Sequence, residues 1–426
     1  MAKLRLRRRL QLAGLRGYMH MMGAWEKLRY GVSFHPFTAV DDPYTVHSRM
    51  RETNPCFYSP MWRGWWVSSF EGVQDVLRDK RFGADVRKYP ARAKRIRRSM
   101  DSRTLELFDN PSMLDLDPPD HTRIRRLAQQ GFVHRFIQSL EPRIRGIVRE
   151  CLEVHNNEAV TDFVEALAKP LPAIVIAEML GLPREDHERF RIWSEDLMLG
   201  AGTADADNLV RAREARNALI DYFEEMVAYK TENPGEDLMS RLIDAEEEGA
   251  HLEGLQLYNT CLLLLIAGHE TTTRLISNGL YLLMQHPDQC AQLRENPSLI
   301  PQAVEEMLRF EPPVQATRRF VTEDLDFHGN AFKQGEVVFV SIPGANRDPG
   351  ANDTPDTFDI NREDCQQVSF GYGIHLCIGA SLARLEAKVA FEEILVRYDN
   401  LQLVETPEWG NNPFFRGVES LSLSLK

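Results

Sequence analysis

The sequence predicts a mainly α-helical chain with small peripheral β-sheets, folded as a single domain. Three observations carry this. The stretch 252–286, LEGLQLYNTCLLLLIAGHETTTRLISNGLYLLMQH, is apolar almost all round, as a helix running through the middle of a domain must be. Amphipathic segments fill most of the region before it, separated by breaks such as GLP (181–183) and NPGED (233–237). Short β-like pieces gather near residue 64, over 314–345 and in the C-terminal tail.

The elements follow in order. GWWVSSFEGVQDVLRD (64–79) is an aromatic, β-branched strand turning into a helix. DPPDHTR (117–123) sets two prolines and an aspartate ahead of an amphipathic run, a helix start. Further helices are expected near 140–155, 160–181, 184–199, 206–231 and 236–248. Turns such as FHGN and KQGE punctuate 314–345, and LQLVETPEWGNNPFFRGVESLSLSL reads as hairpins. A length of 426 residues admits one large domain or two, but no linker, repeat or low-complexity tract divides the chain. One domain over 36–426 is expected, after a basic extension at 1–35.

Composition narrows the class. The 43% hydrophobic and 27% charged content is that of a soluble globular protein. Six scattered cysteines with no CxxC pair argue for a reducing compartment. The longest apolar run, CLLLLIAG, is too short to span a bilayer, and MAKLRLRRRLQLAGL has no secretory h-region; a cytoplasmic location is expected. Residues 1–100 hold 21 basic against 8 acidic side chains although the whole chain carries −12. That asymmetry fits a basic face for an acidic partner or anionic surface, or simply a solvated face. No nucleic-acid motif accompanies it, so nucleic acid is excluded as a partner.

The chemistry centres on SFGYGIHLCIG (369–379). Leu382, Leu385 and Val389 follow at helical spacing, so Cys377 stands at a helix N-terminus, where N–H groups and the helix dipole favour a thiolate. Gly371 and Gly373 let the loop lie flat against something large and planar, and Gly379 lets the first helical turn approach it. A dinucleotide fingerprint lacks its third glycine and its strand. Zinc would need more ligands than His375 and Cys377. An inert buried cysteine leaves the glycines unexplained; a lone thiolate ligand to iron accounts for them.

Two further motifs stand apart from the loop. Glu306 and Arg309 in EEMLR, ahead of Pro312 and Pro313, are by themselves a surface ion pair worth about 0.5 kcal/mol. AGHETT (267–272) interrupts the apolar helix with polar groups, which is costly without a task. His269-Glu270 would suggest a zinc protease, but the second histidine is replaced by Thr273. Ala267 and Gly268 leave a gap beside Glu270 and Thr271; packing or helix bending is the alternative role for the threonines.

Phe370, Gly371, Gly373, His375, Cys377 and Gly379 resemble the haem-binding loop F-G-x-G-x-H-x-C-x-G of the cytochrome P450 family. The resemblance runs from about residue 40 to the C-terminus and is closest to soluble bacterial-type members. It implies haem b as cofactor, with Cys377 as the thiolate metal ligand and His375 at a propionate. Attachment would be non-covalent, since no CxxCH is present. Ala267 would border the cofactor, and His121, Arg125 and Arg319 would reach the propionates. Glu306, Arg309 and Arg362 would brace the cysteine loop. Glu270 and Thr271 would be the acid–alcohol pair delivering protons for oxygen activation.

The implied activity is a monooxygenase inserting one oxygen atom of O2 into an apolar organic substrate by hydroxylation or epoxidation. Its electrons would come from a separate ferredoxin or flavodoxin with its reductase, docked on a basic face around Arg123, Arg126 and Arg135. Phe108, Leu114, Trp193, Met198, Leu263, Val314 and Phe415 fall in the substrate-facing segments and suit a fatty acid, terpenoid, steroid or polyketide. Alternatives on the same fold are a non-turnover haem sensor or carrier, a peroxygenase and an isomerase; the Glu270-Thr271 pair speaks against them. The first 30 residues of the extension depart from the soluble pattern and are either an interfacial basic helix making peripheral membrane contact or a solvated segment.

Overall fold

A computed structural model of the chain describes residues 17–28, 31, 33, 42–98, 100–155, 158–200, 205–247, 250–252, 254–410 and 412–425. The axis of the molecule is the helix Gly254–Gln285, close to its predicted bounds and buried along most of its length. It packs against Pro170–Met179, Ala206–Glu232, Ile300–Phe310 and Ala380–Arg397. One glycine sets a close crossing on this helix. A Cβ on Gly279 would stand 2.6 Å from both Met307 Sδ and Phe391 Cζ, so the bare backbone draws three helices together. The main apolar core runs through these helices, from Leu107 to Leu423.

The largest sheet has five strands in the order Cys56–Ser59, Gly64–Val67, Val337–Ser341, Ala316–Val321, Phe82–Gly83. Only the pairing of Val337–Ser341 with Gly64–Val67 is parallel. Val337–Ser341 is buried at every position, as a central strand covered on both faces must be.

Two expected elements differ. The helix predicted over 160–181 begins as a strand, Val160–Asp162, because β-branched Val160 and Thr161 find an edge on the C-terminal strand Ser422–Leu425. A π-helical turn at Val164–Ala168 follows, and Pro170 opens the helix Pro170–Met179. The tail contains one local pairing, Glu408–Trp409 with Val418–Ser420. Leu401–Leu403 instead takes the other edge of Ser422–Leu425.

Of the N-terminal extension, residues 17–28 form a helix seated on the first hairpin. Glu26 is fully buried; it accepts from Ser59 Oγ at 2.6 Å, from the Met61 N–H at 3.2 Å and from Ser33 Oγ at 3.0 Å. Tyr18 donates to the Pro60 carbonyl at 3.2 Å. This helix is therefore fastened to the body of the protein rather than solvated on its own. Residues 1–16, 29, 30, 32, 34 and 35, with most of the basic side chains of the extension, lie outside the described residues.

Distant segments also meet at one oxygen. Glu311 Oε1 accepts from Tyr44 OH at 2.5 Å and from Arg416 Nε at 2.6 Å, and Arg347 stacks on the Tyr44 ring at 3.5 Å. Among the described residues no helix is long and apolar enough to cross a membrane.

Candidate active site

Cys377 lies in the turn before the helix Ala380–Arg397. Its N–H donates to the Phe370 carbonyl at 2.8 Å, closing the loop on itself. The thiol is exposed yet enclosed by protein, so it lines an internal chamber rather than the outer surface. Burial pushes its pKa up. The N–H groups of Gly379 and Ala380, with Arg125 and Arg384, oppose that shift and favour a thiolate.

The glycines divide into two kinds. Gly371 and Gly373 adopt φ of +75° and +70°. A Cβ on Gly373 would sit 2.4 Å from the Leu77 carbonyl oxygen. The expectation that Gly373 clears a planar ligand is thus corrected: it clears the end of the helix Phe70–Arg78. Gly379 meets only the Cys377 sulfur, at 4.0 Å, and does leave the approach to the thiol open.

The expected propionate residues converge. The His121 and His375 rings are 4.2 Å apart, and Arg125 donates to the Leu376 carbonyl at 2.6 Å. Arg319 is buried on the strand Ala316–Val321. Burial pulls Arg319 down to about 10, His121 to about 4 and His375 to about 3, with the positive charges of Arg125 and Arg319 adding to it at both histidines. Both ring nitrogens of His121 are buried without a partner among the described residues. A cluster of donors and cations with so little counter-charge fits a group bearing carboxylates beside a metal-ligating thiol, as haem does.

Glu306, Arg309 and Arg362 are brought together as expected. Arg309 Nε reaches Glu306 Oε2 at 2.6 Å, Arg309 Nη2 reaches Oε1 at 2.7 Å, and Arg362 Nε reaches Oε2 at 3.1 Å. Asn346 links this region to the loop, donating to Ser369 Oγ at 2.8 Å and accepting the Val368 N–H at 2.8 Å.

On the central helix, Thr271 Oγ1 donates to the Ala267 carbonyl at 2.9 Å. Ala267 is exposed on an otherwise buried helix, so it opens on internal space. Gly268 does not. A Cβ there would meet Ile176 at 3.2 Å, so Gly268 lets Pro170–Met179 approach and contributes nothing to the expected gap. Glu270 is engaged on Oε1 by Arg274, Nε at 2.8 Å, and Arg274 reaches onward to Glu419 at 3.3 Å.

The expected pocket residues are scattered. Val314 and Phe415 pair through an isolated β-bridge. Leu263 is half-buried on the central helix, and Leu114 is 53% exposed. Phe108 packs with the cluster of Trp62 and Phe414 under Arg97, and Trp193 lies under Arg189 at 4.8 Å. Met198 is half-buried. On the expected docking face Arg126 and Arg135 are exposed, whereas Arg123 donates to Gln256 at 2.9 Å.

Sequence reasoning missed Arg384 and Arg274. Arg384 stacks on Phe370 at 4.4 Å and is held by Glu305 at 2.5 Å, a cation placed behind the cysteine loop. Two turns of helix after Cys377 was the available signal. Arg274 was signalled by its i,i+4 spacing from Glu270.

Residues 46–412 match the family described as Cytochrome P450. The chain is 41% identical over 364 residues to cytochrome P450 CYP107DY1 of Priestia megaterium, covering 84% of this chain and 88% of that one. It is 35% identical over 413 residues to the polyketide biosynthesis cytochrome P450 PksS of Bacillus subtilis, covering 94% and 99%. The solved structure of P450BioI in complex with hexadec-9Z-enoic acid ligated acyl carrier protein aligns with a TM-score of 0.85 at 34% identity, covering 92% of this chain and 100% of that one. Coverage on this scale, with the cysteine loop in place, makes the chain a member of the cytochrome P450 family, an oxidoreductase of the haem-thiolate class.

Proposed function

We propose that this P450 holds haem b and oxidises a long acyl or polyketide chain presented on a carrier protein, with electrons from a separate ferredoxin or flavodoxin and its reductase. The observation that carries the cofactor reading is the enclosed Cys377 thiol beside the partnerless His121 nitrogens and buried Arg319. Cys377 would ligate the iron, and His121, Arg125, Arg319 and His375 would hold the carboxylates. Haem ligated by a thiolate supplies reductive activation of O2 and insertion of one oxygen atom.

The chain's own residues supply the rest. Glu306, Arg309 and Arg362 keep the cysteine loop in register. Arg384 places a cation behind Phe370 and the sulfur. Glu270 carries protons from the Glu419 side of the helix, and Thr271 passes them on at its Oγ1. Leu114, Leu263, Val314 and Phe415 present apolar surface to the substrate. The carrier-bound form of the substrate is supported by the complex named for P450BioI and by the polyketide role named for PksS. The exposed Arg126 and Arg135 suit an acidic electron donor.

Two measurements test this reading. The reduced carbonyl complex should show the red-shifted Soret band of a thiolate-ligated haem, and Cys377→His should move it to the position of histidine-ligated haems; an unchanged band would eliminate Cys377 as ligand. Oxidised product from an acyl carrier substrate should require both O2 and NAD(P)H with a surrogate redox chain.

A further inference from the structure

A dense run of positive charge on one helix takes no part in the site above. Arg92, Lys94, Arg95, Arg97 and Arg98 fall within the helix Pro90–Arg97 and its C-terminal cap, and no acid occupies its first turn. Lys94, Arg95 and Arg98 are exposed and form no ion pair among the described residues. Lys94 and Arg98 stand four apart and Arg95 and Arg98 three apart, like charges that oppose the helix they sit on. A shallow cleft of about 520 Å³ runs here, lined by Arg87, Pro90, Ala93, Lys94, Arg97 and Arg98. Asp85, beside Arg87 at 2.8 Å, and Asp109, beside Arg97, bring counter-charge to its lining, and Asp120 adds its field at Arg87.

This patch sits on a chain of net charge −12, against the sign of the whole. A face that merely kept the protein in solution would not need it. Its position is informative too. Arg97 lies over Phe108 at 5.1 Å and Arg87 donates to the Asp109 carbonyl at 3.0 Å, so the cleft abuts the segment that leads to the proposed substrate pocket.

We infer that this cleft docks an acidic carrier protein and receives the phosphodiester of its pantetheine arm, so that the tethered chain enters toward the exposed Leu114. The inference rests on the carrier-bound substrate proposed above and adds the surface that recognises the carrier. Guanidinium and ammonium groups around a small recess suit a phosphate, and the outward Lys94, Arg95 and Arg98 suit carboxylates on the carrier's helices. A lipid surface fits less well: the apolar residues lining the cleft are Pro90 and Ala93, too small to insert into a bilayer.

The test uses the haem-loaded enzyme, a fluorescently labelled bacterial acyl carrier protein bearing a hexadecanoyl-pantetheine arm, and free hexadecanoic acid. The triple variant Lys94→Gln/Arg95→Gln/Arg98→Gln should bind the carrier about tenfold more weakly or worse at low salt, a gap that narrows as salt rises. Its affinity for the free acid, read by Soret titration, should match wild type. If wild type and variant bind the carrier equally, the docking surface is wrong while the carrier-bound reading stands. If wild type takes the free acid but not the carrier, that reading fails and the docking proposal falls with it. Binding to phosphatidylglycerol vesicles that the variant loses, without carrier affinity, would assign the cleft to a lipid surface and overturn the proposal.

Discussion

Glu306 and Glu270 are both buried carboxylates facing an arginine of their own helix, yet they are built differently. Both oxygens of Glu306 are in use: Arg309 grips them in parallel, Arg362 adds a third contact, and the Asp359 N–H donates to Oε1 at 2.9 Å. Its partners are pinned in turn, Arg309 to the carbonyls of Asn346, Pro355 and Thr357. Glu270 meets Arg274 through Oε1 alone, and Arg274 divides itself between Glu270 and the partly exposed Glu419. The two sites teach how saturation separates a brace from a group that can change state. A carboxylate held from every side loses several charged hydrogen bonds if it moves; one held through a single oxygen exchanges one partner for another.

Breaking the brace should have the largest effect. Glu306→Gln leaves two buried guanidinium groups without a counter-charge, and removing one member of such a pair typically costs about 3–5 kcal/mol. Thermal melting and haem content should both collapse. Haem-loaded protein of near wild-type melting temperature would remove Glu306 from the bracing role.

The relay should respond in activity instead. Glu270→Gln keeps shape and leaves Arg274 its Glu419 partner, so stability should fall by less than in Glu306→Gln, where no other carboxylate takes over. Turnover should drop about 10²-fold, the lower range for a lost general acid. Thr271→Ala should keep NAD(P)H consumption while diverting much of it to hydrogen peroxide. Product per NAD(P)H equal to wild type in Thr271→Ala would return that hydroxyl to a packing role.

A third buried carboxyl sharpens the contrast by having no cationic partner among the described residues. Glu386 is buried with Oε2 unpartnered among the described residues, and desolvation holds its pKa well above the ordinary 4.5. The folded protein therefore keeps a proton that the unfolded chain releases above that value. Its contribution to stability is full below the ordinary carboxylate range and is lost as pH rises toward the raised folded pKa. Glu386→Gln should flatten that decline, the smallest of these effects, in denaturant midpoints measured across pH. Parallel profiles for the two proteins would mean that Glu386 is ionised and paired.

Much of this was legible because it is local. The long apolar helix, the cysteine loop and the Glu306–Arg309 spacing each state their geometry within a few residues. Arg362 and Arg319 were reachable only through resemblance, since what joins them to the site is tertiary. The strand at Val160–Asp162 was missed because its partner edge, Ser422–Leu425, lies at the other end of the chain. Gly373 was assigned to the wrong neighbour for the same reason: no local pattern shows that the Leu77 carbonyl will lie against it. Phe108 and Trp193 look like pocket residues in sequence, whereas arginines from nearby turns cover them in space.

The Tyr44–Glu311–Arg416 junction bears on how the molecule comes together. Its two hydrogen bonds span 267 and 105 positions of sequence. A growing chain that has just exposed Glu311 can offer it Tyr44 but not yet Arg416, which follows it by 105 positions. Until then the carboxylate faces one hydroxyl and has no charged partner from the C-terminal tail. Contacts so distant in sequence close late, after the entropy of the intervening loops has been met. The strands around Arg416 thus act as a seal on the arrangement around Glu311.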